Sequence, residues 1–150
     1  MNKSTNILEA HKIFKSFPQG NGLLHILKGI DLIIKEGEAI CIQGPSGTGK
    51  STLLHILGTL DRPSSGKLLF HNRDLSHMKD STLAHFRNEK MGFVFQFHHL
   101  LSEFTALENV ALPARIRGQS RAHAEKNAEK ILLFFSVITW NRFIHGTKIH

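Results

Sequence analysis

The sequence predicts an α/β domain with a small antiparallel β part ahead of a glycine-rich loop. Three observations carry that expectation. Short apolar runs alternate with segments whose apolar residues recur at helical spacing. A glycine-rich segment at 44–51 stands between one such run and a helical stretch. An apolar fraction of 41% with a charged fraction of 21% suits a chain that buries a core, and excludes a disordered one.

Taken in order, residues 7–14 predict a strand and 20–22 a turn. Residues 32–34 predict a second strand, and Glu36-Gly37-Glu38 turns the chain into a third, 39–43, that leads into the loop. Residues 50–60 read as a helix apolar nearly all round, through Leu53, Leu54, Ile56, Leu57 and Leu60, and such a helix is expected to be buried. Pro63-Ser64-Ser65-Gly66 breaks the chain before a short strand at 67–70. A helix is expected over 80–89 and an apolar strand over 92–96. Thr105-Ala106-Leu107-Glu108 has capping-box spacing, with Leu107, Val110, Ala111 and Ala114 on one face behind it. Pro113 removes a backbone donor, so this helix should kink or stop near it. Ser120 can cap a last helix whose stripe is Ala124, Ala128, Ile131, Leu132 and Phe135.

Composition narrows the function classes. Nineteen lysines and arginines face 12 acids, for a net charge of +7, which would suit a polyanion. The basic residues are scattered, without a block of nucleic-acid type, so they read as a solvated surface and no nucleic-acid partner is expected. The single cysteine, Cys41, excludes an internal disulfide and fits a reducing compartment. Its apolar neighbours Ile40 and Ile42 predict a core position. No secretory leader is expected, because Glu9, His11 and Lys12 interrupt the N-terminal segment. The longest apolar run, 131–140, is half of what a membrane span needs. His98 and His99 are adjacent and would point to opposite faces of a strand, so the histidines predict no metal site of their own.

The chemistry sits in Gly44, Pro45, Ser46, Gly47, Thr48, Gly49, Lys50 and Ser51, followed by Thr52. Gly44-x-x-x-x-Gly49-Lys50-Ser51 is the pattern of a phosphate-binding P-loop, in the strand-to-helix setting that the pattern requires. Glycines allow a tight turn in which successive amide N–H groups point at phosphate oxygens. The positive end of the following helix adds to the attraction. Lys50 supplies a point charge for the β- and γ-phosphates, and the Ser51 hydroxyl a ligand for Mg²⁺.

Beyond the loop, three blocks carry a resemblance: Leu60-Asp61-Arg62-Pro63-Ser64-Ser65-Gly66, Gly92-Phe93-Val94-Phe95-Gln96-Phe97-His98-His99-Leu100-Leu101, and Phe104-Thr105-Ala106-Leu107-Glu108-Asn109-Val110. With the P-loop, they make residues 7–130 resemble the N-terminal part of an ABC transporter ATP-binding subunit, nearest the lipoprotein-releasing branch. The resemblance implies an ABC-type P-loop fold, C-terminally truncated, that binds ATP with Mg²⁺. It implies that Phe17 stacks on adenine and that Gln96 ligands Mg²⁺ and senses the γ-phosphate. It further implies that the region Phe97 to Leu112 docks membrane-spanning subunits, that two ATP-binding subunits pair, and that the protein works at the cytoplasmic face of the inner membrane.

The family also needs a Leu-Ser-Gly-Gly signature segment, a strand ending in Asp-Glu and a switch histidine. This chain has no Gly-Gly dipeptide and no two adjacent acids, and its last acid is Glu129. No catalytic residue of the family is therefore assigned within it. The whole chain, 1–150, reads as a partial ABC nucleotide-binding domain, and residues 136–150 depart from the pattern as a non-native tail. Two alternatives stand beside this reading. One is a small P-loop phosphotransferase, with Arg115-x-Arg117 as its acceptor lid, and the other is a non-catalytic nucleotide-binding fragment.

Overall fold

The computed structural model describes the backbone of residues 5–95 and 99–144, and the side chains of 5–95 and 99–135. The chain divides into two compact units between Arg87 and Asn88.

In the first unit, β1 (Asn6–Gln19) and β2 (Gly22–Lys35) form a long antiparallel hairpin about a turn at Gly20 and Asn21. β3 (Ser65–Phe70) pairs antiparallel with the other edge of β1, and the two-residue β4 (Arg73–Asp74) pairs with β3, giving the order β2-β1-β3-β4. Both hairpin strands are longer than their sequence pattern predicts. Their register shifts at several points, between Ala10 and Ile13 among others. Each shift resets which face a side chain takes, so strict alternation is lost although pairing continues.

The bulge at Lys12, with φ 48°, lies opposite Gly66. Gly66 itself has φ 106°, and a Cβ there would stand 2.2 Å from the Lys12 carbonyl oxygen. Only glycine fits so close to a neighbouring strand's backbone.

Helix α1 (Lys50–Leu57) buries Leu53, Ile56 and Leu57. Leu54 and Leu60 are exposed, so the helix buries one side only, against the expectation of burial all round. It ends at Gly58, whose amide donates to the Leu54 carbonyl at 2.8 Å. Helix α2 (Asp80–Lys90) buries Leu83 and Phe86, and the Phe86 ring meets Phe70 of β3 edge to face at 5.0 Å between centroids.

Two predicted strands are corrected. Residues 39–43 and 91–95 are without regular structure, and position 96 lies outside the described residues. Ile40, Phe93, Val94 and Phe95 are exposed, and so is Cys41, which is not a core residue. A strand exists through its ladder of interstrand hydrogen bonds, and among the described residues neither segment has a paired neighbour. Apolar composition alone does not supply one.

In the second unit, α3 (Ala106–Ile116) packs on α4 (Arg121–Ile144). Ala111, Ala124 and Ala128 are the buried centre of this contact, with Leu107, Val110 and Ala114 packed against it. The predicted α3 face is the buried one. Small residues on both sides let two helix backbones approach closely. α3 continues through Pro113 for one further turn and stops at Arg117. Of the predicted α4 stripe, Ala124 and Ala128 are buried, whereas Ile131 and Phe135 are exposed.

Candidate functional site

The loop 44–49 links the irregular segment 39–43 to the first turn of α1. Gly49, at φ 89° and ψ 11°, occupies the N-cap position, where no side chain caps the helix and no acid stands in the first turn. The amide end of α1 is thus left with its partial positive charge and without a side-chain acceptor. A Cβ at Gly49 would come 2.7 Å from Ile26 Cγ2 and 3.0 Å from Leu27 Cδ2, so the loop is pressed directly against β2. Gly44 and Gly47 also have positive φ, 155° and 79°.

Two side chains converge on one backbone oxygen. Thr48 Oγ1 donates to the Pro45 carbonyl at 2.9 Å, and Lys50 Nζ donates to the same oxygen at 2.5 Å. The ammonium is folded back across the loop. Pro45, Ser46, Thr48 and Ser51 are exposed, while Lys50 and Thr52 are half-buried. Uncapped amides, a compact cation and an exposed hydroxyl make a donor set suited to a polyphosphate with its divalent cation.

Phe17 lies on β1 opposite Leu24, three positions from Leu27, against which Gly49 packs. Its ring is 39% exposed, which disfavours the role of a core phenylalanine. Lys15 Nζ sits over the ring, 4.9 Å from its centroid. The sheet register thus sets Phe17 on the strand beside β2, whose Ile26 and Leu27 meet Gly49, although Phe17 precedes Gly44 by 27 positions in the sequence. Gln96, Phe97 and His98 lie outside the described residues.

The rest of the region 99–112 has two parts. Leu100, Leu101 and Phe104 are exposed ahead of α3. Thr105 caps α3 with the expected box: its Oγ1 accepts from the Glu108 amide at 3.2 Å, and Glu108 Oε2 accepts from the Thr105 amide at 3.0 Å. Phe104, Glu108, Ala111, Leu112, Arg115 and Arg121 line a cavity of about 270 Å³. Arg121 bridges Glu125 at 2.6 Å and Glu108 at 3.5 Å across it. Glu108 is held below the usual carboxylate range, first by the Thr105 amide and then by the Thr105 hydroxyl.

Residues 27–146 match the ABC transporter family. The chain belongs to that family. Among curated relatives it is similar to the lipoprotein-releasing system ATP-binding protein LolD of Bdellovibrio bacteriovorus, at 55% identity over 87% of this chain and 59% of that protein. LolD of Geobacter metallireducens is 52% identical over 85% of this chain and 57% of its own length. A solved dimeric ATP-binding cassette, in a post-hydrolysis state with ADP and Pi, superposes with a TM-score of 0.76 at 38% identity. That match covers 83% of this chain and 55% of the cassette. The chain thus has the expected α/β ABC cassette fold, and spans somewhat over half the length of the relatives it matches.

Two residues have contacts that sequence reasoning assigned to neither of them. Lys15 precedes Phe17 by two positions, the spacing that puts side chains on one face of a strand, and that spacing was the available signal. Asn109 makes four hydrogen bonds to the segment 101–105, and nothing in sequence patterning announces them.

Proposed function

We propose that this chain binds Mg·ATP as the nucleotide-binding part of an ABC transporter ATP-binding subunit of the LolD kind. The observation that carries the proposal is the loop 44–51, with its uncapped helix end and Lys50 folded over it. In this reading the backbone N–H groups of Gly44 and of Ser46 to Gly49 cradle the phosphates, with Pro45, Ser46 and Thr48 shaping the turn. Lys50 leaves the Pro45 carbonyl for the β- and γ-phosphates, and Ser51, with Thr52 beside it, faces the metal. Bound Mg²⁺ would neutralise phosphate charge. Phe17 takes the adenine, and Gln96 completes the metal site.

Hydrolysis and transport are assigned to the assembled protein. The chain supplies ground-state binding, whereas phosphoryl transfer depends on groups placed for the transition state, and it contains no Gly-Gly dipeptide and no adjacent acid pair. We assign residues 136–150 to a non-native tail. The region from Phe97 to Leu112 is the docking face for membrane-spanning subunits, supported by its exposed Leu100, Leu101 and Phe104. Pairing of two copies is supported by the dimeric state of the matched cassette. A part in lipoprotein release is supported by the likeness to LolD, and with it we propose work at the cytoplasmic face of the inner membrane. Among the described residues no helix is long and apolar enough to cross a membrane.

The test is calorimetric titration with Mg·ATP. Lys50→Ala should weaken binding by about 1.5–3 kcal/mol, the worth of a charge-assisted contact. Unchanged affinity would overturn the assignment.

A further inference from the structure

Lys15 is held by three partners at once. Its ammonium sits over the Phe17 ring at 4.9 Å, donates to Asp61 Oδ1 at 2.7 Å and donates to the Arg62 carbonyl at 2.8 Å. The side chain is only 13% exposed, so most of the stem is packed and the head has little freedom. Asp61 Oδ1 also accepts from the Arg62 amide at 2.7 Å, and the Asp61 amide donates to the His55 carbonyl of α1 at 3.2 Å. A chain of contacts therefore runs from the C-terminal end of the P-loop helix, through Asp61 and Lys15, to the ring of Phe17.

A cation over an aromatic ring is attracted to its negative face. With the ammonium on one face of a ring that is partly exposed, the opposite face is the one left for a flat ligand, and the ring's rotation is restrained. We infer that Lys15 is a positioning residue for the nucleobase: it fixes the Phe17 ring as a one-sided platform and ties that platform to the segment following the P-loop helix. The inference rests on Phe17 receiving the base, and it adds the device that orients it. The base, and not the phosphates, should feel the loss of Lys15.

The test compares Mg·ATP with inorganic tripolyphosphate, which has the phosphates and no base, by calorimetry on the full chain. Phe17→Ala is expected to weaken ATP and leave tripolyphosphate unchanged. Lys15→Met, which keeps the aliphatic stem, is expected to weaken ATP selectively by about fivefold or more, as for a cation–π contact whose cation is largely withdrawn from water. Lys15→Arg, which retains a cation over the ring, should stay near the parent. Asp61→Asn, which loosens the ammonium's anchor, should shift the ATP-to-tripolyphosphate ratio in the same direction, and it carries the test should Lys15→Met lose cooperative melting. An equal loss for both ligands in the Lys15 or Asp61 variants, or an unchanged ratio beside a selective Phe17→Ala effect, overturns the positioning role alone. An unchanged ratio in Phe17→Ala overturns the platform reading and the inference with it.

Discussion

Asn109 holds both backbone groups of Leu101: its Oδ1 accepts from the Leu101 amide at 2.9 Å, and its Nδ2 donates to the Leu101 carbonyl at 3.1 Å. The same Nδ2 reaches the carbonyls of Phe104 and Thr105, each at 3.0 Å. One side chain thus ties the exposed segment before α3 to the helix itself. Asn109→Ala removes the acceptor for the Leu101 amide and should cost about 1–2 kcal/mol, given the worth of ordinary hydrogen bonds at half-buried positions. Hydrogen exchange reports it directly. The Leu101 amide should exchange faster while the α4 amides keep their protection, and an unchanged Leu101 rate would refute the role.

Glu108 makes the end of α3 acid-sensitive. Its carboxyl is held below its ordinary value of 4.5, so its contribution to stability is fully present above that pH and is lost as pH falls through the lower, folded value. Asp74, bonded by the Ser76 amide, and Asp80, bonded by the Arg62 guanidinium, shift in the same direction and add the same sign. Melting temperatures should fall as pH drops below the ordinary carboxylate range, and Glu108→Gln should show a shallower fall. Parallel curves for parent and variant would contradict the assignment.

Gly66→Ala should destabilise the first unit by about 1–3 kcal/mol or more, because it places a side chain at φ 106° and 2.2 Å from the Lys12 oxygen. The bulge at Lys12 would have to open, parting β1 from β3. Chemical denaturation measures this, and a variant as stable as the parent would mean that the strands can separate without cost.

Gly49→Ala is expected to cut ATP affinity about tenfold, as strain of roughly 1–3 kcal/mol at φ 89° and contact with Ile26 displace the loop. Secondary structure by circular dichroism should be little changed, since the affected contacts lie at the junction with α1. Full affinity in calorimetry would show that the loop tolerates the shift.

The local features were legible in the sequence, for a physical reason. The P-loop, the Thr105–Glu108 box, the buried face of α3 and the α2 helix all depend on residues within about one or two turns of one another. Spacing alone specifies which groups meet. Gly66, read from sequence as part of a break, instead lies inside β3, and its closeness to Lys12 is a fact about two strands that no spacing within one segment contains.

What the sequence by itself determined, then, is the glycine-rich loop ahead of α1, the helix of each periodic segment and the family to which the motifs belong. Tertiary structure decided which apolar segments are buried and which distant side chains meet. Ala39 to Gln43 reads as a strand, yet a strand requires a partner ladder, and without one among the described residues Ile40 and Cys41 stay exposed. Lys15 and Asp61 lie 46 positions apart and meet at 2.7 Å only because β3 pairs beside β1 and brings the residues before it to that edge. Periodicity reports neighbours along the chain, while burial and long-range pairing depend on which segment the fold lays alongside.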